Sequence, residues 1–114
     1  MAGIHNFVCD QGATFQREIT WTDSSGVAIN NTGYLARMQV RATASSASTV
    51  LSISSTSGEI TLGGSNGKIT ISVLASTTAG ITAGCYVYDL EMVNGATVYR
   101  ILQGDFEVNA EVTR

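Results

Sequence analysis

Proline is absent from this sequence, and runs of Lys, Glu, Leu and Ala are few, whereas glycine occurs 12 times among abundant Ser and Thr. That balance favours strands and turns over helices. Histidine occurs once, so a Ser-His-Asp or Cys-His device would have to use His5. General acid–base chemistry needs a base held by a second group, and the residues around His5 supply none. No catalytic residue is therefore assigned, and the chain is expected not to be an enzyme. Positive charge is scarce and scattered over Arg17, Arg37, Arg41, Lys68, Arg100 and Arg114, with a net charge of −3. A nucleic-acid partner needs clustered cations that release phosphate counterions, which excludes that class. No run of about 18 apolar residues occurs, nor a charged segment leading into an apolar one, so neither a membrane span nor a secretory signal is expected. Cys9 and Cys85 lack metal-type spacing and read as small buried hydrophobes; a disulfide between them requires Cα atoms within about 7 Å. No metal, cofactor or small-molecule ligand is expected.

What is present is alternation. A chain of 114 residues makes one domain over positions 1–114, long enough to bury a core without staples. Ile4 to Cys9 reads as a first strand with His5, Phe7 and Cys9 on one face. From Ala13 to Trp21, the residues Phe15, Arg17, Ile19 and Trp21 share a face, with Arg17 the misfit and Trp21 the expected large core anchor. Val27 to Ile29 is a short extended piece between two turns. Tyr34, Ala36, Met38, Val40 and Ala42 then alternate with Leu35, Arg37, Gln39 and Arg41, which puts the arginines toward solvent. Thr43 to Ser48 is a low-complexity loop.

Two short strands, Val50 to Ser54 and Glu59 to Leu62, precede a flexible hairpin turn at Gly63 to Gly67 and a strand from Lys68 to Leu74 with Ile69, Ile71 and Val73 inward. Gly63 to Gly67 is not a phosphate loop, because Lys68 leads into a strand and no Lys-Ser/Thr pair follows. Ala75 to Ile81 is the one stretch suited to a helical turn, linking two sheets. From Ile81 to Val93, Tyr86, Tyr88, Leu90 and Met92 point one way and Cys85, Val87, Asp89, Glu91 and Val93 the other. Asp89 and Glu91 share a face, and Arg100 on the following strand makes a cross-strand ion pair the simplest reading of them. Asn94-Gly95 predicts a type I′ hairpin into Thr97 to Gln103. Gly104 is expected to kink the chain before a last strand carrying Phe106, Val108, Ala110 and Val112.

About seven to nine antiparallel strands at this spacing predict an all-β, immunoglobulin-like sandwich. Tyr86 suits its corner tyrosine, a buried ring whose hydroxyl ties down nearby backbone. Sandwiches leave open edges, so a terminal strand through Phe106, Val108, Ala110, Val112 and Arg114 is the expected protein interface, for self-association or for docking.

Asp10 to Phe15, Trp21 to Gly26, Thr32 to Arg41, Tyr86 to Glu91 and the close at Glu111 to Arg114 together resemble a family of small immunoglobulin-like proteins from the structural gene blocks of tailed bacteriophages and prophages. In architecture the chain is also similar to the N-terminal domain of upper baseplate proteins. Cys85 departs from the family pattern, where a larger or charged residue is usual. The resemblance implies a virion component, synthesised in a host cytoplasm: a tail or baseplate building block, or a capsid decoration protein. Its partners would be other virion proteins and copies of itself. A second reading is a module that recognises host-surface glycans through loop residues such as Asn30, Asn31 and Asn66, although the aromatics fall mostly on the inward parity.

Overall fold

The computed structural model describes residues 3–112. In chain order the strands are β1 (Gly3–Ile4), β2 (Phe7–Asp10), β3 (Phe15–Thr20), β4 (Leu35–Arg41), β5 (Leu51–Ser54), β6 (Ile60–Leu62), β7 (Lys68–Val73), β8 (Gly84–Asn94) and β9 (Thr97–Asn109), with a one-turn helix α1 (Ala75–Thr78) between β7 and β8. They form two packed sheets. The larger runs β1-β9-β8-β4-β5 with β2 also alongside β9, and the smaller runs β3-β7-β6.

Alternation places the core as expected in the middle of the chain. Ala36, Met38 and Val40 of β4, Ile69, Ile71 and Val73 of β7, and Tyr88, Leu90 and Met92 of β8 are buried, while the intervening residues face outward. Aromatic rings bridge the sheets. Phe15 of the smaller sheet lies 5.6 Å from Phe7 and 5.3 Å from Phe106, and Phe7 lies 5.0 Å from Tyr88, centroid to centroid. Burying each phenylalanine is worth roughly 1.5–3 kcal/mol, and the tilted and edge-on contacts add to that. The α1 turn crosses from one sheet to the other. Its buried Thr78 hydroxyl donates to the Ala13 carbonyl (2.8 Å) and accepts from the Gly12 N–H (3.1 Å), fastening the crossover to the turn before β3.

Several expectations are corrected. The strands are not all antiparallel: β1 and β2 run parallel to β9, with Gly3 beside Leu102 and Phe7 beside Phe106. After β2 the chain crosses to the other sheet instead of turning back in plane, so the whole intervening domain serves as the connection that a parallel pair requires. The first strand is split at His5 and Asn6, and β9 is one continuous strand. Both facts have the same cause. Gly104 does not break β9; it leaves room for the chain crossing it, since a Cβ there would stand 2.4 Å from the His5 carbonyl oxygen.

The hairpin is present, but its two-residue loop is Gly95–Ala96, with Asn94 still in β8 paired to Thr97. Gly95 has φ +60° and no non-glycine residue among those described, Ala96 included, has positive φ, which makes the turn type II′ and not I′. Trp21 is not a core anchor. It follows the last β3–β7 pair, Thr20 with Lys68, and sits at the rim, edge-on to Tyr34 at 5.3 Å. Arg17 does share the inward parity of Phe15. Its guanidinium lies 4.5 Å from the Phe15 ring centre and donates to the Val8 carbonyl at 2.7 Å, so it closes the side of the sandwich.

Candidate functional site

The expected interface falls on a strand that has neighbours on both sides. β9 pairs with β8 along one edge and with β1 and β2 along the other, so its C-terminal half is central in the sheet and not a free edge. Phe106 and Val108 are buried in the core and have no surface to offer. Ala110 and Val112 are exposed but lie beyond the end of β9 at Asn109, and Arg114 is outside the described residues. The alternation of Phe106 and Val108 reports burial between sheets. An edge strand and a central strand with one buried face produce the same sequence pattern.

Two surface hollows lie on the larger sheet. The first, about 520 Å³, is on its outer face and is bordered by Arg41, Tyr88, Asp89, Arg100, Gln103 and Asp105. Here charges are interleaved. Arg37 reaches Glu91 across β4 and β8 at 2.8 Å, and Arg100 reaches Asp89 across β9 and β8 at 3.3 Å. Partial burial pushes the Asp89 carboxyl above its ordinary range and Glu91 pushes the same way, while Arg100, Arg37 and Arg41 pull it back. The shared face of Asp89 and Glu91 is thus occupied by ion pairs.

The second hollow, about 920 Å³, is a side groove between the start of β9 and the end of β3, bordered by Ile19, Trp21, Ile29, Tyr99, Ile101 and Leu102. Trp21, Tyr34 and Tyr99 form an aromatic cluster at its mouth, with Tyr99 5.9 Å from Trp21 and 6.5 Å from Tyr34. A register shift between Leu90 and Glu91 leaves Ile101 without a partner on β8, so Ile101 and Leu102 come together opposite Leu90. Sequence reasoning missed this groove. The rim position of Trp21 and the half-exposure of Tyr99 depend on where β3 ends, which alternation does not show.

The remaining singled-out residues have structural partners. The His5 ring stacks edge-on to Phe7 at 4.7 Å, and its carbonyl accepts from the Tyr88 hydroxyl at 2.6 Å. Asn31 is fully buried: its amide oxygen accepts from the Gly64 N–H (2.7 Å) and its amide nitrogen donates to the Lys68 carbonyl (3.0 Å). The turn that reads as flexible is therefore a pinned 3-10 turn, Gly64–Asn66. Asn30 and Asn66 accept from the Thr32 and Lys68 N–H groups. Cys9 is buried, with its thiol pushed up by that burial and then by Asp10, but Cys85 is exposed. The two are not bonded. Both Cys9 and Gly84 pair with β9, on its opposite sides, so the cysteines stand about two strand spacings, roughly 10 Å, apart. Among the described residues no three His, Cys, Asp or Glu side chains converge on a point.

No protein-family model matches the chain, and a search of curated proteins finds no significant relative.

Proposed function

We propose that the chain is a non-enzymatic structural protein of a tailed-phage particle, a tail or baseplate building block before a capsid decoration protein, that acts through strand-edge contacts with copies of itself and other virion proteins. The observation that carries the reading is where its resemblance motifs meet. Thr32 to Arg41 and Tyr86 to Glu91 supply β4 and β8, neighbours at the centre of the larger sheet, in register from Leu35 beside Val93 to Arg41 beside Val87. Motifs that carry a resemblance to a fold family belong at such a centre. The strand order supports the immunoglobulin-like part of the reading, as does a first strand running parallel to the last. So does Tyr86, near the start of β8 after the α1 crossover, whose hydroxyl donates to the carbonyl of Thr82 four residues upstream. The test is mass spectrometry of purified particles from the host that carries the gene. Recovery of the chain at a fixed ratio to the major virion proteins supports the reading; its absence from intact particles overturns it.

A second reading, glycan recognition, is favoured by the partly exposed Trp21, Tyr34 and Tyr99, because sugars stack on aromatic faces. Saturable binding on a glycan array, lost on Tyr99→Ala, would establish it. The loop asparagines do not serve that test, since all three hold the backbone.

A further inference from the structure

Among the described residues, one open strand edge lies beside exposed apolar side chains. On the side of β9 away from β8, Thr97 to Arg100 has no strand beside it among the described residues; the pairing with β1 is at Leu102 and Gln103. The other edges are short or carry charge. β5 spans four residues, and its Ser54 N–H is met by the Glu59 carboxylate; β6 spans three. The β2 and β3 edges are tied to each other by Arg17, which donates from β3 to the Val8 carbonyl of β2 and puts a charge at that edge. At β9, by contrast, Val98 and Tyr99 are each 47% exposed and border a groove that mixes apolar side chains with Thr20, Thr22, Arg100 and Gln103 but has no carboxylate among its described lining residues.

We infer that this edge is a two-fold seam, in which Thr97 to Ile101 pairs antiparallel with the same stretch of a second copy. Three features select a second copy. In a two-residue hairpin the closing pair, Asn94 with Thr97, is hydrogen-bonded, so alternation turns the N–H and C=O of Val98 and Arg100 away from β8. Pairing about Tyr99 sets each Val98 against the other copy's Arg100 and forms about four inter-strand hydrogen bonds. The free edge also has the right length. Among the described residues it runs from the Gly95–Ala96 turn to Leu102, where Gly3 of β1 pairs. Charge fits as well: each Arg100 is held by its own Asp89 and meets a neutral valine, so no like charges oppose. The groove then receives the second copy's Tyr99, whose ring joins the cluster of Trp21 and Tyr34.

This seam deepens the building-block reading, but it is tested on the purified chain alone. Sedimentation velocity from micromolar to millimolar concentration is expected to show a monomer–dimer equilibrium. Val98 is half exposed, so Val98→Lys and Val98→Glu are both expected to fold. Val98→Lys opposes Arg100 of the other copy at two symmetry-related places and is expected to weaken the dimer by roughly fivefold or more. Val98→Glu replaces the neutral contact with an opposite charge and is expected to keep the dimer or tighten it. A chain that stays monomeric throughout, or a dimer that both variants weaken equally, overturns the seam. Particle mass spectrometry decides the building-block reading separately, so the two can fail independently.

Discussion

The hydroxyl of Tyr88 donates to the carbonyl of His5 at 2.6 Å, across 83 residues of chain. This bond holds the break between β1 and β2 against the middle of the larger sheet, at the point where Gly104 lets the chain pass. Tyr88 is almost fully buried and burial raises its pKa, so the phenol stays protonated as a donor across the ordinary pH range. Tyr88→Phe leaves the His5 carbonyl without its partner and is expected to cost about 1–3 kcal/mol in denaturant titration. Tyr86 makes the corresponding local bond to Thr82, but its ring is only half buried and Thr82 is exposed, so water can replace the hydroxyl. Tyr86→Phe is expected to cost less than about 1 kcal/mol. The reverse ranking would mean that the corner, and not the long-range tie, holds this end of the sandwich.

Asn31 is expected to be the most sensitive loop position. Asn31→Ala leaves the Gly64 N–H unpaired at a buried site and removes one of the two donors to the Lys68 carbonyl, which keeps the Gly63 N–H, a loss of about 1–3 kcal/mol. Asn30→Ala and Asn66→Ala act at exposed turns and are each expected to change stability by less than about 1 kcal/mol. Thermal or denaturant unfolding of the three variants separates them. Equal effects would contradict the pinned turn.

The cysteines are expected to differ in reactivity. A disulfide-exchange reagent at neutral pH should titrate one thiol of the native protein quickly, at Cys85, and the second only after denaturation, because Cys9 is 1% exposed and its thiolate is disfavoured. Cys85→Ser should abolish the fast phase. Two fast thiols, or none, would contradict the assigned faces of β2 and β8.

Asp89 sets a pH dependence whose sign follows from its raised folded pKa. Ionisation is less favourable in the folded state than in the unfolded state, so the group lowers stability at neutral pH. That penalty disappears as pH falls through the raised value toward 3.8, the ordinary one. Asp89→Asn should therefore be neutral or slightly stabilising at pH 7, within about 1 kcal/mol, with the difference from the parent shrinking below pH 4. Denaturant titration at both pH values checks it. Clear destabilisation at pH 7 would mean that the Arg100 pair outweighs the burial.

The middle of the fold was legible because β4, β7 and β8 each bury one face, and a period of two reports that directly. The crossover at Ala75 and the hairpin at Gly95 were legible from local turn chemistry. What the sequence concealed depended on distant contacts. Gly104 looks like a break until the His5 carbonyl is placed beside it. Asn31 sits in an Asn-Asn-Thr-Gly run that reads as an exposed turn, and only the fold carries it beneath Gly64. For the same reason the expected interface falls on a stretch of β9 that has a strand on each side and buries Phe106 and Val108. Whether a strand lies at an edge is a property of sheet order, and Phe106 and Val108 alternate identically in either case.

The most direct test of the proposed role is a density map of the particle that carries the gene. The account predicts density for this sandwich in the tail or baseplate, with neighbouring copies joined across a two-fold axis at Tyr99 into one continuous sheet. A map in which the sandwich is absent, or in which its copies touch nothing, would contradict it.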